Sequence, residues 1–314
     1  MPLRRFVLLL VLGFLLSAGQ AYAQDKIEPK APAKATAPYA IAHDKPLDAK
    51  EEIVEKADDY IQYRVEFNGI KDDRVPAFLY VPKAKANGKQ PAYPAILLQY
   101  GIGGNKSTDY IVAIGKQFVA KGYVVLTIDS PGQGERKKKG DGKLAGIFAM
   151  LNPDIVMHYC GDYCRAVDYL ASRPDVDKER IGYVGISWGA ITGITYVAYD
   201  QRIKAMGSMV GGGNFLGGFN AKEAEKAAKE GSKSSDPVYH VGRIAPRPLL
   251  FINVTKDQLV LKSWAESLHK NAGEGSKVVW IETDHYFKGV DREAICESVI
   301  EFMDKQLCIK PAEK

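Results

Sequence analysis

The chain has 314 residues, 46% of them hydrophobic and 26% charged, with a net charge of +5. These values describe a folded chain with a sizeable core and exclude a largely disordered, collagen-like or coiled-coil protein. The charge bias is too weak to point to a nucleic-acid partner, and four cysteines do not make a disulfide scaffold.

Residues 1–23 predict a secretory signal peptide. Arg4 and Arg5 form a basic start, Phe6 to Leu16 is apolar apart from Gly13, and Ala21-Tyr22-Ala23 is a small-x-small cleavage pattern before Gln24. An apolar run of about 11 residues is too short for a bilayer core that needs roughly 20. The expectation is therefore an exported protein, periplasmic or secreted, with no stable membrane insertion after cleavage. Residues 24–46, rich in Ala, Pro and Lys, read as a disordered leader. Residues 47–310 read as one domain.

Within that domain the spacing predicts strands at 60–67, 76–81, 95–100 and 123–128, with a helix at 110–121 between the last two. The run 123–128 lacks polar alternation, as a parallel strand covered on both faces should. A helix at 155–172, a strand at 181–186, a helix at 187–199 and a strand at 203–210 follow. After them come a strand at 249–254, a helix at 260–271, a strand at 277–281 and a closing helix at 292–306. This alternation predicts an α/β fold, a mostly parallel eight-stranded sheet with helices on both faces. Residues 211–245 break the rhythm with glycines and a short charged helix near 221–230, and read as a small lid insertion.

Gly185-Ile186-Ser187-Trp188-Gly189 is a G-x-S-x-G pentapeptide between a predicted strand and a predicted helix. A strand, sharp turn and helix are the setting in which such a serine is a nucleophile. Its hydroxyl needs a base, and the chain has five histidines. His43 falls in the leader, while His158, His240 and His269 are expected at the surface or in loops. His285 follows the last strand, at the carboxyl end where open α/β sheets place ligands. Asp257, just beyond the strand at 249–254, is the expected carboxylate partner, and Asp284 is its rival. The order Ser187, Asp257, His285 suits a Ser-His-Asp triad working through an acyl-enzyme. The N–H groups of Trp188 and Ile102 are the expected oxyanion donors, with Tyr100 adding a side-chain hydroxyl. Tyr100, Phe215 and Phe219 are expected to line the substrate pocket, Phe215 and Phe219 from the lid. The run Arg136-Lys137-Lys138-Lys139 reads as a solvated loop. No cofactor and no metal are expected, since neither Cys160/Cys164 nor Cys296/Cys308 has zinc-ligand spacing with histidine partners. Export permits disulfides, and Cys160 and Cys164 are within reach of each other.

Over nearly all of residues 60–307 the chain resembles the α/β-hydrolase superfamily. Within it the chain is similar to the dienelactone hydrolase-like and acetyl xylan esterase-like branch. The resemblance rests on residues 128–136, Ile-Asp-Ser-Pro-Gly-Gln-Gly-Glu-Arg, on 168–189 around the serine, on Lys256-Asp257, and on Asp284-His285-Tyr286-Phe287. Ser187 stands where dienelactone hydrolases proper have cysteine. The resemblance implies the α/β-hydrolase fold and a serine carboxylic ester hydrolase, a short-acyl esterase or deacetylase acting on a small-molecule or carbohydrate ester. A serine peptidase or amidase, and a non-catalytic binding protein on the same fold, are the competing readings.

Overall fold

The computed structural model describes residues 36–71, 73–83, 92–137, 153–214 and 235–307. The expected signal peptide, Phe215, Phe219, the helix near 221–230 and Cys308 lie outside these described residues.

Nine strands form one sheet, one more than the sequence suggested. They are β1 (Lys50–Lys56), β2 (Tyr60–Asn68), β3 (Arg74–Pro82), β4 (Tyr93–Gln99), β5 (Val124–Ile128), β6 (Val176–Ile186), β7 (Ile203–Met209), β8 (Leu249–Val254) and β9 (Ser276–Ile281). The additional strand is β1, Lys-Glu-Glu-Ile-Val-Glu-Lys, which is exposed along almost its whole length. It pairs only with β2, at the sheet edge, so it buries no face and carries no alternating pattern to read. The spatial order is β1-β2-β3-β5-β4-β6-β7-β8-β9. β1, β2, β3 and β5 pair antiparallel, and every pair from β5–β4 onward is parallel.

Helices α1 (Asp109–Ala120) and α5 (Arg292–Leu307) cover one face. Helices α2 (Pro153–Ser172), α3 (Trp188–Val197) and α4 (Lys262–Asn271) cover the other. The strand Val-Val-Leu-Thr-Ile of β5 is buried throughout because both layers close over it. Ile111 and Phe118 of α1 and Val299 and Met303 of α5 fill one layer, and Val167 and Leu170 of α2 with Ile194 of α3 the other. Each such side chain, fully buried, contributes about 1.5–3 kcal/mol. Among the described residues no helix is long and apolar enough to cross a membrane.

Part of the segment read as a disordered leader is ordered against the domain. Tyr39 and Ala42 are buried, and the Tyr39 hydroxyl donates to the Tyr196 carbonyl at 3.0 Å. Arg165 of α2, fully buried, donates to the carbonyls of Ala42 at 2.6 Å and Lys45 at 2.8 Å. The composition that suggested disorder conceals these contacts because backbone carbonyls, which every residue has, provide the acceptors.

The crossover from β4 to β5 runs to one side, and β6 returns to the other side of β4. The carboxyl ends of β4 and β6 therefore flank the point where the strand order reverses, the position at which open α/β sheets hold ligands.

Candidate active site

Ser187 lies at that point, between β6 and α3, with φ 55° and ψ −114°. A non-glycine residue in such a conformation costs about 1–3 kcal/mol, so the surroundings must impose it. They do so through close approach. A Cβ on Gly185 would come within 2.3 Å of the Gly189 carbonyl oxygen, and one on Gly189 within 2.6 Å of that of Gln99. The Ser187 N–H is fixed to Met209 O at 2.8 Å. The single hydroxyl proton of Tyr183 is shared between Gly189 O at 2.9 Å and Gln99 Oε1, and Gln99 Nε2 donates to Thr192 at 3.0 Å. The ends of β4 and β6 and the first turn of α3 are thereby tied together beneath the serine.

Asp257 and His285 reach the serine from the carboxyl ends of β8 and β9. His285 Nδ1 lies 2.8 Å and 3.0 Å from the two Asp257 oxygens, and its Nε2 lies 2.9 Å from Ser187 Oγ. A carboxylate only accepts, so the ring proton sits on Nδ1 and Nε2 accepts from the serine hydroxyl. Asp257 Oδ1 also accepts the N–H groups of Leu259 at 2.8 Å and Val260 at 2.9 Å, which fix its plane. Side-chain exposure is 7% for His285 and 3% for Asp257. The pairing is therefore largely out of water, where electrostatic interactions are stronger. Asp284 is elsewhere: its carboxylate accepts the N–H groups of Tyr286 and Lys288 in its own turn, each at 3.0 Å.

The other four histidines are occupied. His43 pairs with Asp168 at 2.7 Å. His158, expected at the surface, is buried in an ion-pair cluster beside Asp162. His240, expected at the surface or in a loop, lies in a turn but is fully buried and bonds Tyr199 at 3.0 Å. His269 packs between Phe251 and Trp280, and burial lowers its pKa to about 4.

Trp188 is the first residue of α3, so its N–H has no partner within the helix. Ile102 sits in the turn after β4, which the Gly104 N–H closes onto Gly101 O at 3.1 Å; the Ile102 N–H takes no part in that bond. Ile102 is 40% exposed. Tyr100 does not serve as expected. It is 1% exposed, and its hydroxyl accepts the Ser130 N–H at 2.7 Å. Its ring belongs to the core layer beside α1, so it supports the loop from below and does not line a pocket.

The loop after β5, quoted above only for its resemblance, supports the Ile102 loop in turn. Asp129, fully buried, accepts from the Lys106 N–H at 3.0 Å, from Lys106 Nζ at 2.6 Å and from the Glu135 N–H at 2.9 Å. Gly134 has φ 53°, and a Cβ there would lie 2.2 Å from the Asp129 carboxylate. Arg136 is not a solvated charge: its side chain is 7% exposed and pairs with Asp162 at 2.7 Å and with Asp73. Burial favours a neutral Asp73, but hydrogen bonds from His158 and Arg136 and their charges hold its carboxyl down to about 2.

Two groupings of described residues have metal-ligand composition, Asp73–His158–Asp162 and His43–Cys164–Asp168. Arginines fill both: Arg136 pairs with Asp73 and Asp162, while Arg165 and Arg202 reach Asp168 at 2.6 and 2.5 Å. Cys160, Cys164 and Cys296 are free and buried, so the 160–164 pair is not joined. Burial pushes the Cys164 and Cys296 thiols up to about 12, far from the thiolate that a nucleophile needs.

The acetyl xylan esterase (AXE1) family profile matches residues 42–223, more than half of the chain. The chain belongs to the acetyl xylan esterase family. The hydrolase-named YtaP of Bacillus subtilis is 30% identical over 143 residues, 42% of this chain and 46% of that protein. The chain thus aligns with less than half of that relative's length. An acetyl xylan esterase from Paenibacillus sp. R4 has a similar structure, with a TM-score of 0.67 at 20% identity over 84% of this chain and 90% of that one. The acetyl xylan esterase 1 of Thermoanaerobacterium sp. JW/SL YS485 gives a TM-score of 0.67 at 17% identity over 84% and 89%. These likenesses establish the α/β-hydrolase fold.

Proposed function

We propose that this chain is an exported serine ester hydrolase that removes short acyl groups, acetyl above all, through Ser187, His285 and Asp257. The observation that carries the reading is the unbroken relay from Ser187 Oγ to His285 Nε2 and from Nδ1 to Asp257. In this reading Ser187 Oγ attacks the ester carbonyl carbon while His285 Nε2 takes the hydroxyl proton. Asp257 holds the ring and stabilises the imidazolium that forms. The tetrahedral oxyanion is met by the N–H groups of Trp188 and Ile102, and losing one such donor costs about 3 kcal/mol of barrier. Collapse expels the alcohol, protonated by His285, and leaves Ser187 acylated. Water, activated by the same histidine, then releases the acid.

The acetyl preference rests on the family and on the names of the two solved relatives. The substrate is a small-molecule or carbohydrate ester. Export rests on the basic, apolar and small-x-small order of residues 1–23, with Gln24 as the mature N-terminus.

The test combines active-site labelling with a p-nitrophenyl ester series. A fluorophosphonate should modify Ser187, and kcat/KM should peak between acetate and butyrate. Ser187→Ala and His285→Ala should each lower kcat by about 10⁶-fold, with the double variant barely worse, because the members act as a unit. Absence of labelling, or additive losses, would overturn the assignment. A maximum at long chains would overturn the short-acyl reading.

A further inference from the structure

Tyr110, the second residue of α1, is absorbed neither by the core nor by the relay. Its hydroxyl oxygen accepts the backbone N–H of Gly101 at 2.8 Å. Gly101 precedes Ile102, whose N–H is a proposed oxyanion donor. A carbon placed at the Cβ position of Gly101 would lie 3.2 Å from Ser187 Cβ and 3.3 Å from the Tyr110 hydroxyl oxygen. Ser187 Cβ and the Tyr110 hydroxyl oxygen thus crowd the same side of Gly101, closer than a side chain there would readily tolerate. Tyr110 is 38% exposed, so it is partly open to solvent.

A phenol oxygen that accepts an amide proton must turn its own proton elsewhere. Among the described residues no hydrogen-bond partner accepts that proton. The incoming Gly101 N–H polarises the hydroxyl and strengthens it as a donor, as in any hydrogen-bond chain. Burial pushes the phenol above its ordinary range, which keeps the proton in place at neutral pH. An amide has one proton, and that of Gly101 is spent on Tyr110; the hydroxyl delivers the same polarity one atom pair further into the site.

We propose that Tyr110 is a third, side-chain donor to the ester carbonyl oxygen in the acyl-transfer transition state, beside the N–H groups of Trp188 and Ile102. The inference rests on the reading of Ser187 as the nucleophile. Proton count is unchanged along this path: the hydroxyl donates a hydrogen bond and keeps its proton.

The hydroxyl has two roles to separate, accepting from Gly101 and donating to substrate. Tyr110→Phe removes both. It should lower kcat 10- to 100-fold on p-nitrophenyl acetate with little change in KM, while the fluorophosphonate still labels Ser187. Replacing Tyr110 by a ring-fluorinated tyrosine keeps the shape and makes the phenol more acidic. The phenolate formed on raising pH accepts the Gly101 N–H more strongly but cannot donate. A donor role therefore requires a new alkaline limb in kcat, set by the acidity of the fluorinated phenol. Unchanged kcat in Tyr110→Phe, or a fluorotyrosine enzyme with the parent pH profile, overturns the inference. Loss of Ser187 labelling in the parent enzyme would instead overturn the proposed function beneath it. If Tyr110→Phe fails to fold, the fluorotyrosine profile alone decides.

Discussion

The carboxylate of Asp257 accepts three hydrogen-bond donors, His285 Nδ1 and the N–H groups of Leu259 and Val260. That arrangement leaves it one orientation, and the orientation selects the histidine tautomer whose Nε2 can accept from Ser187. Asp257→Asn retains the shape but offers an amide that can donate to Nδ1, which stabilises the wrong tautomer. The expected loss is about 10⁴-fold in kcat with the fold intact. Asp284→Asn should be nearly silent in kcat, because its carboxylate only caps the turn 284–288. Parallel steady-state kinetics on the two variants check this, and the reverse pattern would reassign the acid. The three residues that the structure brings together could each be singled out in the chain because a nucleophile turn, strand ends and chain order are local or ordinal signals. Tyr100 misled because an aromatic next to the turn looks the same whether it faces core or substrate. Tyr110 gave no signal, since its hydrogen bond to Gly101 depends on how α1 docks against the end of β4.

The turn after β5 helps to hold the loop that carries Ile102, through Asp129 and Lys106. Lys106 is 3% exposed and is neutralised by Asp129 and by Glu135, which also receives Arg64 at 2.5 Å. The hydrogen bond from Arg64, with that from Lys106, holds the Glu135 carboxyl down to about 2. The native state therefore releases the Glu135 proton more readily than the unfolded chain, where a glutamate titrates near ~4.3. The stabilisation is complete above that value and is lost as pH falls through about 2. Asp73, lowered to about 2 by His158 and Arg136 against its own burial, titrates in the same window. Glu135→Gln should thus flatten only part of the acid loss, with urea midpoints of variant and parent converging as pH falls from 5 toward about 2. Curves that stay parallel would show that the pairing contributes nothing, as happens for well-screened pairs. Within the run 136–139, Arg136 was misread for a physical reason, while Lys137 is exposed as expected and Lys138 and Lys139 lie outside the described residues. Charge alone suggests solvent, and only the approach of α2, carrying Asp162, and of Asp73 before β3 converts Arg136 into a buried hub. β1 was missed on the same grounds, being charged and exposed even as a strand.

At the scale of the whole molecule, the N-terminal segment closes one side of the helical layer formed by α2 and α3. Arg165 is fully buried and donates to Ala42 O and Lys45 O, to Asn68 O at 3.3 Å and to Asp168 at 2.6 Å. Removing residues 36–46 deletes two of these acceptors and uncovers Tyr196, whose carbonyl receives the Tyr39 hydroxyl. Hydrogen bonds to a charged group contribute about 1.5–3 kcal/mol each, and water replaces only part of that for a guanidinium still walled in by α2. Loss of the buried Tyr39 ring adds about 1.5–3 kcal/mol. The total, on the order of 5 kcal/mol, is comparable with the whole stability of a marginal domain. At roughly 2–4 °C per kcal/mol for a chain of this size, Tm should fall by about 10–20 °C. The comparison is between two purified chains, one starting at Gln24, the N-terminus proposed after export, and one starting at Leu47. Calorimetry on both, with p-nitrophenyl acetate turnover measured well below either transition, separates stability from chemistry. The shorter chain should keep its kcat at low temperature, because residues 36–46 touch neither Ser187 nor the loops around it. A Tm within about 2 °C of the longer chain would mean that the segment lies on the domain without supporting it, and that Arg165 finds its partners elsewhere.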